Sequence, residues 1–233
     1  SCITNRDLEY IRSNKEIKKA KANKQDYRLQ QGDLISVQIS TTTQQQHDFF
    51  NKENTSNSQL MIQNPYLYGY IINEEGNLDL PSFGKVKAAG FTLRELENVI
   101  KNIAVSYFES PVIKLNIINF EITILGEVNH PGTFKIFDPE VNILYALSLS
   151  GDMTQFGNRR KVKVIRNENE LNRVFYVDLT KKGVLNNSDF MLQPHDIIYV
   201  APLNKKFYAF NNITNVVSMA LSAVTLYLLI NKN

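Results

Sequence analysis

Two sets of side chains in this sequence have types and spacings that imply chemistry, and neither is catalytic. The first is Cys2, the single cysteine among 233 residues, which follows Ser1. A small residue followed by cysteine is how a processed bacterial lipoprotein begins, so Cys2 is the expected acylation site. Each buried CH₂ of an acyl chain contributes about 0.8 kcal/mol, and more than one chain gives stable attachment. The second set is an uncharged polar stripe close to the other end. Thr214, Asn215, Ser218, Ser222 and Thr225 recur at helical spacing within a sector of roughly 100°. Val216, Val217, Ala220, Ala223, Val224 and Tyr227 cover the opposite side.

From Ile213 to Ile230 there is no charge, Gly or Pro. A helix of that length reaches about 27 Å, which just crosses a thin hydrocarbon core. Lys205 and Lys206 before it and Lys232 after it are placed to snorkel out of a membrane. Two readings follow. In one the segment is a tail anchor whose hydroxyls bond back to their own helix carbonyls. In the other it is one stave of a helical barrel, with the polar set lining a wet lumen and the apolar set facing lipid. Only copies of the chain side by side can build that barrel.

Other reactive types do not assemble into a site. His47, His130 and His195 are scattered, and neither an HExxH motif nor a glycine-rich phosphate loop is present. No catalytic residue, metal ligand or cofactor is expected beyond the covalent lipid, and the chain reads as a non-enzyme. Asp33, Asp79, Asp152 and Asp196 lie in or beside expected turns, where a carboxylate satisfies backbone N–H groups. Arg159, Arg160, Lys161 and Lys163 read as a solvated edge strand. The net charge is only +3, and Lys205, Lys206 and Lys232 account for it, which argues against a nucleic-acid protein.

The elements that hold these residues describe an α+β chain. Residues 1–24 are lysine-rich and read as a tether with at best a fraying helix from 7 to 22. A turn at Tyr27–Asp33 leads into a strand at Leu34–Ser40, and the polar stretch 41–64 reads as a long loop. Tyr66–Ile72, the turn Asn73–Asn77 and Leu78–Leu80 read as a hairpin, with a short strand at 84–87. Thr92 and Glu95 form a capping box, with Phe91 and Leu96 as a hydrophobic staple, at the start of a helix. Its apolar face is Leu93, Leu96, Ile100, Ile103 and Tyr107, and a strand at Val112–Ile118 follows Pro111. A second unit opens at Phe120 with a strand, a Pro131-Gly132 turn and a return strand. Asn142 caps a short helix over 143–150, a hairpin spans 161–179, and the last strand lies within Phe190–Val200. That last segment echoes Tyr27–Val37: Leu-Gln, a turn, Asp, then an apolar run.

These motifs resemble the outer-membrane polysaccharide export proteins. The resemblance rests on Leu29–Leu34, on Gly76–Pro81 with Gly84, and on Gly90–Glu97 and Pro111-Val112. It continues through Leu125–Gly132, Ala146–Thr154 and Leu192–Val200, so that it covers Tyr27 to Val200 in the family's order. It implies an export-signature domain over 25–118 with the 41–64 insertion, and an SLBB β-grasp domain over 119–202. A C-terminal transmembrane amphipathic helix over 203–233 completes the expectation. Better-known members have two or more β-grasp domains; this sequence has one. The resemblance further implies an octamer-like homo-oligomeric ring in the outer membrane, its body in the periplasm, exporting capsular or exopolysaccharide. The implied inner-membrane partner is a polysaccharide co-polymerase or tyrosine kinase. A membrane-tethered module that binds a glycan or protein partner, with the last helix only an anchor, is the alternative.

Overall fold

The computed structural model describes residues 8–12, 27–41, 66, 69–138, 140–168, 171–204 and 213–230. Cys2, most of the polar insertion and the three flanking lysines therefore lie outside the described residues. The fold is a mixed α/β arrangement in two units joined at residues 118–120, followed by a separate helix.

The first unit is built on β1 (Leu34–Ser40), which is flanked by β2 (Tyr70–Ile71) and β5 (Val112–Ile117), both antiparallel to it. A two-stranded ribbon of β3 (Asn77–Leu80) and β4 (Gly84–Lys87) and the helix α1 (Leu93–Ala104) close the core. Leu29, Ile35, Leu78, Leu96, Ile100 and Leu115 fill it. The capping box forms as its residues dictate: Glu95 N–H donates to Thr92 Oγ1 and Thr92 N–H to Glu95 Oε2. The expected hairpin of 66–72 with 78–80 does not form. The Asn73–Asn77 turn is present, but β2 is zipped to β1 and β3 pairs with β4. Ile72 is committed to β1's turn through hydrogen bonds with Gly32 and Asp33, so the chain leaves for a different sheet. Tyr107 lies beyond the end of α1, exposed, with its ring 5.3 Å from that of Phe83.

The second unit is a five-stranded sheet in the order β7-β6-β10-β8-β9. Its strands are β6 (Glu121–Gly126), β7 (Gly132–Lys135), β8 (Gly157–Glu168), β9 (Leu171–Val177) and β10 (Ile197–Pro202), with β10 parallel to β6. The short helix α2 (Ile143–Leu149), capped by the Asn142 side chain, buries Ile143, Ala146 and Leu147 against one face. β8 is an interior strand rather than the expected edge, because β9 pairs with its residues 162–168 and Leu179 N–H bonds to Arg159 O beyond them. Arg159 is accordingly buried, donating to the carbonyls of Met153, Thr154 and Gly157.

The echo between Tyr27–Val37 and Phe190–Val200 is a shared structural device. Gln30 N–H donates to Asp33 Oδ2 and Gln193 N–H to Asp196 Oδ2, each at 2.8 Å. The residue before each Asp has positive φ: Gly32 at +90° and His195 at +65°. Asp152 also serves a turn, accepting from Met153 N–H, whereas Asp79 sits on the exposed side of β3 and not in a turn. The two buried carboxylates differ in partner. Asp33 accepts from the Tyr27 hydroxyl, and Asp196 is gripped by Arg166. Burial pushes the Asp33 carboxyl above its usual range, against the hydrogen bonds from Gln30 and Tyr27 that favour its charged form. A raised folded value means that the native state holds the proton more tightly than the unfolded chain. The stability this lends is complete below about pH 3.9 and is lost as pH rises through the raised value. Asp33→Asn should therefore gain on the wild type over that rise, read as the difference in urea midpoints from pH 4 to 7. A difference that stays flat contradicts this account of Asp33.

Candidate functional site

The helix α3 (Ile213–Ile230) keeps the length expected from the sequence. Every described side chain on it, from 217 to 228, is exposed, so no face of that stretch packs on the body. Met219 is 78% and Tyr227 66% exposed, values that a helix of a folded monomer in water does not show on all sides. Ser218, Ser222 and Thr225 lie on it as expected, and so do Val217, Ala220, Ala223, Val224 and Tyr227. For Thr214, Asn215 and Val216 only the helical backbone is described. The described members of the polar and apolar sets are exposed alike.

The hydroxyls do what a nonpolar surrounding demands. Ser222 Oγ donates to Ser218 O at 2.8 Å, and Thr225 Oγ1 donates to Leu221 O at 2.7 Å. With its proton satisfied within the helix, a hydroxyl costs less to desolvate. Its oxygen lone pairs still face outward as acceptors. Among the described residues no helix is both long and apolar enough to cross a membrane. The described side chains cover 217–228, about 18 Å of helix against about 30 Å of hydrocarbon.

The chain leaves for this helix from one pole of the second unit. Leu203 N–H, just after β10, bonds to Phe156 O at 2.7 Å. The N-terminal segment docks at the same pole. Ile11 and Arg12 N–H donate to Leu179 and Thr180 carbonyls, each at 2.9 Å. The Tyr10 hydroxyl donates to Asp152 while its ring lies 5.1 Å from the Arg159 guanidinium. Burial and the bond to Asp152 push the Tyr10 phenol above its usual value. Part of the expected tether is thus a strap: residues 9–12 are not helical, and the N–H groups of Ile11 and Arg12 serve the second unit.

A cleft of about 450 Å³ opens between the two units, lined in part by Tyr27, Arg94, Glu97, Phe120, Arg173 and Gln193. Arg166 also lines it and is paired with the buried Asp196 behind it, with Nε to Oδ1 at 2.9 Å and Nη2 to Oδ2 at 2.8 Å. Asn119 ties the connection between the units to the first one, accepting from Leu34 N–H and donating to Gly32 O. No single stretch could disclose this cleft, since its walls come from both units. The one local signal was the repeated Leu-Gln turn that ends in a buried Asp. No group of His, Cys, Asp and Glu able to hold a metal stands among the described residues. His130 and His195 sit in separate turns, and His47 lies outside the described residues.

The two units coincide with two matched families. A family described as polysaccharide biosynthesis/export protein matches residues 21–118, and one described as SLBB domain matches residues 121–200. The chain carries a polysaccharide export domain followed by an SLBB domain. It is similar to the EPS I polysaccharide export outer membrane protein EpsA of Ralstonia solanacearum, 23% identical over 203 residues, 82% of this chain and 52% of that protein. The protein of the same description from Ralstonia nicotianae is 24% identical over 106 residues, 44% of this chain and 28% of that one. The chain thus spans about half the length, or less, of these curated relatives. The two matched domains stand in that order, with the helix following.

Proposed function

We propose that this chain is a non-enzymatic component of an outer-membrane translocon that exports capsular or exopolysaccharide. Copies assemble in a ring, octamer-like by resemblance, with an export-signature domain over 25–118 and an SLBB β-grasp domain over 119–202. Their last helices cross the membrane together. The observation that carries the reading is α3, an 18-residue uncharged helix standing off the body with its described side chains exposed. Water is a poor solvent for such a helix, and lipid on one side with neighbouring copies on the other resolves the exposure. A hydrophilic polymer cannot enter hydrocarbon, so it needs a wet path. Thr214, Asn215, Ser218, Ser222 and Thr225 supply one with uncharged groups. Their acceptor oxygens give the sugar hydroxyls weak, replaceable bonds that suit sliding better than ion pairs. Val216, Val217, Ala220, Ala223, Val224 and Tyr227 then face lipid.

Acyl chains on Cys2 hold the same pole to the bilayer. Leu8 lies six residues beyond Cys2, at most about 20 Å of chain, and the strap after it docks where α3 departs. The body hangs in the periplasm, where the polymer arrives from an inner-membrane co-polymerase or tyrosine kinase. Removing 203–233 should leave the body folded and abolish surface polysaccharide in cells that hold no other copy. Normal surface polysaccharide from that truncation contradicts the proposal.

A second reading is favoured by two observations: the back-bonded hydroxyls, which an anchor also needs, and the polar cleft between the units. In it the chain is a membrane-tethered module that binds a glycan or protein partner. A uniform Leu/Val helix in place of 213–230 separates the two, since it preserves an anchor and destroys a lumen.

A further inference from the structure

We infer that the outer face of the five-stranded sheet binds an acidic glycan, with uronate carboxylates on its lysines and sugar rings on its tyrosines. The inference rests on the export reading and deepens it by naming the polymer's chemistry. Val162, Val164, Ile198 and Val200 point into the core, so the alternate residues of β8 and β10 make up the other face. Pairing register places Tyr176, Lys163, Tyr199 and Leu125 in one row across β9, β8, β10 and β6. Lys161 Nζ lies 4.7 Å from the Tyr176 ring centre. Lys163 Nζ lies 5.9 Å from that centre and 5.4 Å from the Tyr199 ring centre. Tyr176 is 52% exposed, and Val174 on the next row of β9 is 51% exposed.

Among the described residues neither Lys161 nor Lys163 has a carboxylate partner. The acids that border the face are already engaged. Asp178, just past β9, accepts from the Thr180 hydroxyl at 2.6 Å and lies 3.5 Å from Lys181 Nζ. Glu127, just past β6, accepts from the Thr154 hydroxyl, and Glu121 stands opposite Lys135. The charge of Lys161 and Lys163 is therefore left over. A ring face attracts an ammonium but leaves its N–H donors free for an oxygen. A sugar carboxylate supplies that oxygen, and an uncharged sugar does not. The C–H groups on the face of a pyranose pack on Tyr176 and Val174 while its hydroxyls stay in water. β8 is paired on both sides, so the stems of the two lysines start from a fixed backbone and less ordering is lost on binding.

The test is binding of the full chain, extracted in detergent, to immobilised polygalacturonate, with dextran as the uncharged control. The wild type should bind polygalacturonate, more weakly as salt rises, and leave dextran unbound. K161Q/K163Q should weaken that binding about tenfold, through the loss of two exposed ion pairs. K161R/K163R keeps the charge and should bind as the wild type does. Tyr176→Ser should weaken binding about threefold with an unchanged unfolding midpoint, since the ring is half exposed. Equal binding by K161Q/K163Q and the wild type overturns the inference, and so does a wild type that ignores polygalacturonate or holds dextran as well. If K161Q/K163Q instead lowers the particle mass in native mass spectrometry at unchanged binding, the face meets another protein and the inference is wrong. Failure here is separable from failure of the export reading. Normal surface polysaccharide from the chain lacking 203–233 removes that reading, while lysine-dependent binding of polygalacturonate would still establish the site.

Discussion

Asp196→Ala should destabilise the second unit by about 3–5 kcal/mol, the usual cost of leaving one partner of a buried ion pair uncompensated. The Arg166 side chain is 5% exposed and that of Asp196 is fully buried. Removing the carboxylate leaves the buried guanidinium without its counter-ion, still donating to Met191 O, and it also orphans the Gln193 N–H that Asp196 Oδ2 accepts. Arg166→Met/Asp196→Leu should recover most of the loss, because it removes both charges and leaves only the Gln193 N–H and the Met191 carbonyl to find other partners. Urea unfolding of the detergent-extracted chain, followed by far-UV circular dichroism, measures both. A cost below about 1 kcal/mol for Asp196→Ala contradicts the structural role assigned to the pair. Asp33→Ala, which strands no cation, should cost less.

Gly126→Ala should be comparably damaging for a different reason. Glu127 N–H bonds to Val200 O at 2.9 Å, which brings that carbonyl over the glycine. A Cβ at Gly126 would meet the same oxygen at 2.1 Å, and the backbone there has φ +93°. The left-handed conformation costs alanine about 1–2 kcal/mol, and forcing β10 away from β6 adds about 1–3 kcal/mol. Gly32→Ala is the matched control. Its φ is +90° and nothing lies within 4 Å of the added carbon, so only the conformational part remains. Equal costs at the two glycines would show that the strands yield freely and that the close approach is not restraining.

What could be read from the residues was mostly what is decided within a few positions of itself. Thr92 with Glu95 and Asn142 with Tyr145 make caps whose donors and acceptors are three residues apart. The Gln30–Asp33 and Gln193–Asp196 turns are equally local, which is why their likeness showed in the sequence. Pairings between distant segments were not legible. β2 follows a strand-like run that could have folded back on β3, and only the core around Leu29 and Ile35 draws it to β1. The basic run at 159–163 has the composition of an edge, yet β9 lies beyond it and Arg159 turns inward to three carbonyls. The strap at Tyr10–Arg12 and the cleft over Arg166 depend on segments far apart in the chain, so no local pattern marks them. For α3 the length and the stripe were legible, but what surrounds the helix is decided by other molecules.

The central claim, that α3 lines a wet path through the membrane, is tested most directly by labelling from outside. Cysteines are placed singly at Ser218, Ser222, Ala220 and Val224 in a chain whose only other cysteine is Cys2. Intact cells are then treated with a charged, membrane-impermeant thiol reagent. The account predicts reaction at 218 and 222, with loss of export when the label is bulky, and no reaction at 220 and 224. Equal labelling of both pairs, or none at either, would contradict it.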